Sequence, residues 1–225
     1  MVHKYIINMD SFLKQYCSKE WIDFIEFHKS VYTLQKDNLV FNEGDDVKGL
    51  FVINKGKVKV FSNESTGKEK IFRLAGEGEI IGHRGFGGDW IYPVSAKTYE
   101  ETTLTFIPLN IFNLLAKTNI EFTYQLMMFF AEELRNSETK INHLQVKNRV
   151  ARAILYNYTI FGADKKDPQL LSFTIPRKDY ASLTNTTYES IIRVLKELND
   201  EKIIQSSGKN IKILDFNALE SLANQ

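Results

Sequence analysis

Residues 175–198 read Ile175-Pro-Arg-Lys-Asp-Tyr-Ala-Ser-Leu-Thr-Asn-Thr-Thr-Tyr-Glu-Ser-Ile-Ile-Arg-Val-Leu-Lys-Glu-Leu198. Pro176 can begin a helix, where its missing N–H does no harm. Tyr180, Ala181 and Leu183 give that short helix a face to bury. Asn185 falls where the chain must turn, and it accepts a left-handed backbone better than most residues. Thr186 or Thr187 then caps a second helix, with Glu189 near its third position. Ile191, Val194, Leu195 and Leu198 line one face of this second helix; Thr187, Tyr188, Glu189, Ile192, Arg193 and Lys196 fall toward the other. Two short helices joined by a tight turn make a helix-turn-helix.

The next residues extend the motif. Glu201-Lys-Ile-Ile204, Ser206-Ser-Gly-Lys209 and Ile211-Lys-Ile-Leu214 read as strand, turn and strand, a wing beside the helices. The second helix of such a motif offers its N-terminal residues to base edges. Glu189 can accept from a cytosine amino group, and Arg193 can fork onto guanine O6 and N7. Thr187, Tyr188 and Ser190 share that first turn. Arg177, Lys178, Lys196 and the wing residues Lys209 and Lys212 are expected on phosphates, where they set register rather than sequence. An amphipathic helix pair alone can mimic this motif. The wing, and a Glu/Arg pair one turn apart, favour DNA.

The 225 residues make one large domain or two modest ones. The chain is 43% hydrophobic and 25% charged, the balance of an ordinary globular protein. No apolar run approaches the ~20 residues of a membrane helix, and the N-terminus lacks the apolar stretch of a signal peptide. The single cysteine, Cys17, cannot form an internal disulfide or hold an iron–sulfur cluster or zinc cage by itself. It reads as a packed thiol in an N-terminal helix. His3, His28, His83 and His143 show no paired metal spacing. With a net charge of +1 the chain is no bulk polycation, so nucleic-acid contact must be local. Residues 148–225 lean basic, with 11 basic against 9 acidic side chains.

Upstream, residues 9–27 read as helical. From Val31 to Pro108, short apolar runs alternate with glycine-bearing turns: Leu39–Phe41, Leu50–Ile53, Val58–Phe61, Ile71–Leu74 and Ile80–Ile81. Val58 and Val60 point inward and Lys57 and Lys59 outward, as in a half-buried strand. Strands at this spacing predict a barrel or jelly roll. From Asn119 the period changes: Met127, Phe130, Leu134, Ser137, Ile141 and Leu144 are spaced as a heptad seam over a helix of about 25 residues. Phe122, Leu126, Phe129 and Phe130 suit packing on the chain's own core. The later part presents Glu132, Glu133, Arg135, Glu138 and Lys140 around a narrow stripe, which suits a two-helix dimer seam. Residues 149–161 form a further helix, Gly162–Pro168 a polar loop, and Phe173–Ile175 a short strand.

Together these features resemble the Crp/Fnr family of bacterial transcription regulators over nearly the whole chain. The glycine-punctuated region looks like that family's cyclic-nucleotide-binding-type β-roll. Ile80-Ile-Gly-His-Arg-Gly-Phe86 with Val94-Ser-Ala-Lys-Thr98 looks like its effector cassette, and residues 119–147 look like its dimer helix. Tyr188-Glu-Ser-Ile-Ile-Arg193 looks like its recognition helix, whose pattern is Arg-Glu-x-x-x-Arg; Glu189 and Arg193 match it, and Tyr188 replaces the first arginine. The resemblance implies a related but altered half-site, since tyrosine cannot supply a bidentate fork to guanine.

In the cassette, Gly82 is followed by His83 where the family's nucleotide binders carry glutamate. Trp90 and Ile91 stand where they carry an arginine–serine pair. A buried cyclic phosphate would lack its charge partner, so the site is expected to take an effector other than cAMP, or none. Gly82, His83, Arg84, Trp90, Tyr92 and Ser137 are its expected lining, with His83 read either as a haem or metal ligand or as a locally hydrogen-bonded histidine.

The expected protein is therefore an α+β chain. It has an N-terminal β-roll sensory domain over 1–118, a dimerisation helix over 119–147 and a winged helix-turn-helix over 148–225. It acts as a cytoplasmic homodimer on a two-fold-related site in double-stranded DNA, holds no cofactor and is no enzyme. By the same resemblance the Gly162–Pro168 loop contacts RNA polymerase, unless it is a solvated connector. The alternative is an effector-binding module whose winged helix contacts proteins.

Overall fold

The computed structural model describes residues 8–65, 67–137 and 144–225, with the backbone alone at 136 and 137. His3, Ile141, His143 and the Ser137 side chain lie outside the described residues. The chain forms two compact units, one from residues 8–62 and 72–137 and the other from 63–71 and 144–225.

The first unit opens with two helices, α1 (Met9–Tyr16) and α2 (Lys19–His28), where the sequence suggests one helical run. The chain is extended at Cys17 and Ser18, so Cys17 closes α1 and Ser18 stands at the cap of α2. The Asn8 side chain caps α1 by accepting from the Ser11 N–H at 3.0 Å.

Eight strands come next: β1 (Ser30–Leu34), β2 (Leu39–Phe41), β3 (Gly49–Lys55), β4 (Val58–Asn63), β5 (Glu69–Ala75), β6 (Ile80–Ile81), β7 (Ser95–Thr98) and β8 (Thr102–Pro108). They form two four-stranded sheets, ordered β1-β8-β3-β6 and β2-β7-β4-β5. Strand β3 explains why its sequence is a continuous apolar run rather than an alternation. Phe51 and Ile53 enter the core of the roll beside Phe41, Val58 and Leu104, while Leu50 and Val52 enter a second core beneath the helices. A strand buried on both faces has no solvent side to mark with polar residues. Gly49 starts this strand because a Cβ there would lie 2.2 Å from the Ile107 carbonyl oxygen of β8.

Lys59 corrects the sequence reading. It is only 5% exposed, its stem covered and its ammonium 5.3 Å from the Phe61 ring and 5.7 Å from Tyr99. Aromatic faces accommodate the cation where water would otherwise be needed.

Helix α3 (Leu109–Thr118) has no counterpart in the sequence reading, whereas α4 (Ile120–Ser137) does. Phe122, Leu126 and Phe129 bury in the helix-side core, and Phe130 packs against it. Leu144 and Gln145 are not helical, so the expected continuous helix over 119–147 does not reach its predicted end.

The second unit contains α5 (Val146–Phe161), α6 (Arg177–Leu183), α7 (Tyr188–Asp200), β9 (Ile204–Ser207), β10 (Asn210–Ile213) and α8 (Phe216–Asn224), the last also absent from the sequence reading. Phe173–Ile175 is not the predicted strand. The Ile175 N–H donates to the Asn157 side chain at 3.1 Å instead of to a ladder, and only isolated bridges pair Leu170 with Lys212 and Leu171 with Ala163. The first wing strand begins at Ile204 rather than Glu201. Glu201 and Lys202 close α7 instead, with the Ile203 N–H bonding the Leu198 carbonyl at 3.0 Å.

Candidate nucleic-acid interface

The reading surface is built from the turn between α6 and α7. Tyr180 is fully buried, and its hydroxyl donates to Asn157 Oδ1 at 2.7 Å. The same oxygen accepts from Ile175, while Asn157 Nδ2 donates to the Phe173 carbonyl at 2.9 Å. One buried amide therefore ties α5, α6 and the segment before α6 together, with good partners for each of its groups. Asn185 sits at φ +48°, as its position in the turn requires. Arg149 of α5 donates to its carbonyl at 3.1 Å, a support the sequence alone did not signal. Thr187 is extended and accepts the Ser190 N–H at 3.2 Å, capping α7. Ser190, not Glu189, occupies the third helical position, so the reciprocal glutamate cap is not made and Glu189 is left facing outward.

Helix α7 is divided by burial. Ile191, Val194, Leu195 and Leu198 are in the core, whereas Thr187, Tyr188, Glu189, Ile192, Arg193 and Lys196 are exposed. Arg193 Nε lies 3.8 Å from Glu197, an exposed contact of small worth that leaves the guanidinium available. Lys178 and Lys209 are exposed as expected.

Two basic residues have other occupations. Arg177 lies half-buried against the wing turn and donates to the carbonyls of Gly208 and Lys209, both at 3.1 Å, and to Ser206 Oγ at 3.0 Å. Lys212 is paired with Asp167 at 2.7 Å. The sequence reading puts both on phosphates; in the structure Arg177 braces the wing turn and Lys212 ties the second wing strand to Asp167. The wing itself is a two-stranded antiparallel ladder with Ser207 opposite Asn210.

Four of the expected effector residues, Gly82, His83, Arg84 and Tyr92, line one small cavity. Gly82, at φ +90°, leads into a 3-10 turn at His83–Gly85. Tyr92 turns into the roll, stacks on Phe41 at 4.2 Å and donates its hydroxyl to the Gly49 carbonyl at 2.8 Å. The cavity behind it holds about 10 Å³, room for one water. Trp90, at φ +58°, lies near Phe86 and lines neither this cavity nor its neighbour, which corrects its assignment. The neighbouring cleft of about 350 Å³ is lined by His83, Arg84, Phe86, Phe130, Glu133 and Leu134.

Glu133 is not the solvent-facing residue the helix pattern suggested. It receives His83 Nε2 at 3.1 Å, Arg84 at 3.1 Å and Arg73 at 3.5 Å, and Arg73 also pairs with Glu79 at 3.2 Å. Burial lowers the pKa of His83. Its Nδ1 has no hydrogen-bond partner, so the neutral tautomer with the proton on Nε2 satisfies the site best. Among the described residues no group of histidine, cysteine and carboxylate side chains could hold a metal ion. Burial pushes the Cys17 thiol up to about 11, which keeps it unreactive.

Residues 32–119 match the cyclic nucleotide-binding domain family, and residues 148–222 match the Crp-like helix-turn-helix domain family. Electron transport regulator A of Shewanella oneidensis is 30% identical over 206 residues, covering 89% of this chain and 80% of that protein. The fumarate and nitrate reduction regulatory protein of Vibrio cholerae is 28% identical over 193 residues, covering 84% and 77%. Among solved structures, FixK2 from Bradyrhizobium japonicum superposes with a TM-score of 0.76 at 18% identity, covering 86% of this chain and 96% of that one. A regulator from Eubacterium rectale gives 0.72 at 18% identity over 95% and 98%. These two establish the fold alone. Taken with the two family matches in chain order, the sequence relatives show that the chain belongs to the Crp/Fnr family and is a sequence-specific DNA-binding transcription regulator of that type.

Proposed function

We propose that the protein regulates transcription as a homodimer that reads a two-fold-related DNA site, under control of a small effector other than cAMP. The observation that carries the reading is the division of α7: its core side is sealed by Ile191, Val194, Leu195 and Leu198, and its first two turns present Glu189 and Arg193 to solvent. Those two side chains read cytosine and guanine edges. Thr187, Tyr188 and Ser190 fill the same turn, and Lys178, Lys196 and Lys209 hold phosphates. Arg177 acts through the wing.

Dimerisation runs along α4. Met127 and Leu134 are 55% and 62% exposed, one heptad apart. Ile120 and Tyr124 extend the exposed stripe toward the N-terminus of the helix. Phe130 contributes less, because it is partly buried against its own unit. Leu144 remains a candidate; Ser137 and Ile141 are candidates outside the described side chains. The cavity behind Gly82 and Tyr92 is too small for a nucleotide, whereas the cleft beside His83 and Arg84 has the volume for a small ligand.

As a regulator acting on DNA, the protein works in the cytoplasm and needs no catalytic centre. The Gly162–Pro168 loop is our candidate contact for RNA polymerase. Protein contact as the sole use of the winged helix is not favoured, because the relatives the chain matches are transcription regulators.

Selection of duplexes from a random library by the full chain tests the proposal. A palindromic consensus is expected, with log K falling as log salt rises. Binding that ignores salt, or recovers no consensus, would overturn it.

A further inference from the structure

Helix α7 carries two exposed strips, not one. Glu189 and Arg193 form the polar strip; Tyr188 and Ile192 lie beside it, 51% and 44% exposed. Among the described residues after 144, the exposed large apolar side chains are these two and Leu214, so two of the three stand next to one another on the reading surface. The core does not need them, since Ile191, Val194, Leu195 and Leu198 already fill the buried face at 0–4% exposure. Nor does the helix: an exposed interior position is better filled by Ala, Lys or Glu than by a β-branched isoleucine. Ile192 also follows Tyr188 by four residues, one turn or ~6 Å along the axis, close to two base steps of ~3.4 Å.

Apolar side chains facing the major groove have one apolar feature to meet there, the 5-methyl group of thymine. We propose that Ile192 and Tyr188 are specificity-determining residues that read thymine methyl groups beside the base pairs contacted by Glu189 and Arg193. This rests on the DNA-binding reading above and extends it: the half-site contains thymine at positions set by the apolar strip. Burial of one methyl against Ile192 corresponds to roughly fourfold in affinity.

The test uses the full chain and duplexes it selects from a random library. Each thymidine in the selected site is replaced in turn by deoxyuridine, which removes only the methyl group and keeps the pairing edge. The expected result is a roughly fourfold loss per half-site at one or two positions. That loss should vanish at one of them in Ile192→Ala, and at the other, where two occur, in Tyr188→Ala. Both residues are exposed, so either variant should fold, and the salt slope should be unchanged because no phosphate contact is removed. Equal binding of thymidine and deoxyuridine sites, or a loss that persists in both variants, overturns the inference while leaving DNA binding intact. A chain that selects no sequence overturns the DNA-binding reading and this inference with it.

Discussion

His83 Nε2 lies 3.1 Å from Glu133 Oε2, and the imidazole is stacked on Phe130 with ring centroids 5.6 Å apart. The pair joins the 3-10 turn after β6 to helix α4, and its protonation sets how stability depends on pH. Burial alone would raise the Glu133 pKa; the hydrogen bond from His83, the charge of His83 once it is protonated in acid, and the charges of Arg73 and Arg84 overcome this and hold it at about 2. For His83, burial wins and the pKa falls below 6.5.

Both groups give slopes of the same sign. An unfolded imidazole takes a proton below its ordinary value of about 6.5 while the folded one resists, so stability falls as pH drops through that value. Glu133 adds a second loss below about 4.5, continuing toward 2. Glu79, raised by burial, acts in the opposite sense: its stabilisation is present in acid and lost as pH rises through its folded pKa. In denaturant titrations from pH 7.5 to 4.5 the His83 contribution should decline as pH falls, at up to about 1.4 kcal/mol per pH unit for a single group, against the opposing gain from Glu79. His83→Gln, which keeps a donor for Glu133 but cannot titrate, should flatten the part between pH 6.5 and 5. An unchanged slope in that variant would remove His83 from the account.

Arg177 makes three hydrogen bonds to the wing turn, and this separates positioning from phosphate contact. A phosphate-contacting lysine reduces the salt slope by about one when it is lost. Lys178→Ala and Lys209→Ala should do so. Arg177→Ala should weaken DNA binding with the slope unchanged and should raise hydrogen exchange at Gly208 and Lys209. A reduced slope in Arg177→Ala would return the residue to the phosphate backbone.

How far the sequence can be read depends on where its signals arise. The recognition surface is legible because local chemistry writes it: Asn185 for the turn, Thr187 for the cap, and a 3.6-residue apolar period for the buried face. The roll is legible from its glycine-bearing turns. Lys59 and Glu133 escape such a reading because their burial depends on partners far away in the chain. Phe61 is near Lys59, but Tyr99 is forty residues on, and Glu133 meets Arg73, His83 and Arg84 only after folding. No local period announces a charge that will be neutralised across the structure. Arg177 is the same case in smaller form, since its spacing fits a phosphate contact and its fork is taken by backbone carbonyls of the wing.

The stripe Ile120, Tyr124, Met127 and Leu134 is apolar and exposed on an isolated chain. If it is the dimer seam, charge placed there should separate the protomers without unfolding them, because these side chains are not in the core. Met127→Glu with Leu134→Glu should convert the protein to monomer in sedimentation velocity, leave the thermal midpoint within a few degrees, and cost the affinity gained by binding two half-sites together. A double variant that remains dimeric would move the interface elsewhere.

Asn157 serves three buried groups through a single side chain. Replacement by Ala removes the partner of the Tyr180 hydroxyl and of the Ile175 N–H at once. A buried polar group left unpaired costs about 1–3 kcal/mol, so Asn157→Ala should destabilise the C-terminal unit by on the order of 3 kcal/mol. Adding Tyr180→Phe should cost less than its effect in the wild-type background, because the hydroxyl it removes has already lost its partner. A double-mutant cycle gives that difference directly; additive losses would mean the two groups act independently.

Tyr92 carries the prediction about nucleotide binding. Its ring lies 4.2 Å from Phe41 and its hydroxyl is engaged by the Gly49 carbonyl, so the space behind Gly82 is reduced to about 10 Å³. A nucleotide entering there would have to displace a stacked ring and break a buried hydrogen bond. Its phosphate would then face Arg73 and Arg84, whose charges Glu133 already engages. Neither cAMP nor cGMP at millimolar concentration should therefore shift the melting temperature. Tyr92→Ala opens volume but leaves the arginines engaged, so it should lose stability and still not bind. Only Tyr92→Ala combined with Glu133→Gln clears the space and frees Arg84, while Arg73 keeps its pair with Glu79. Nucleotide-dependent stabilisation of the wild-type chain would show that the Tyr92 ring gives way more easily than its contacts indicate.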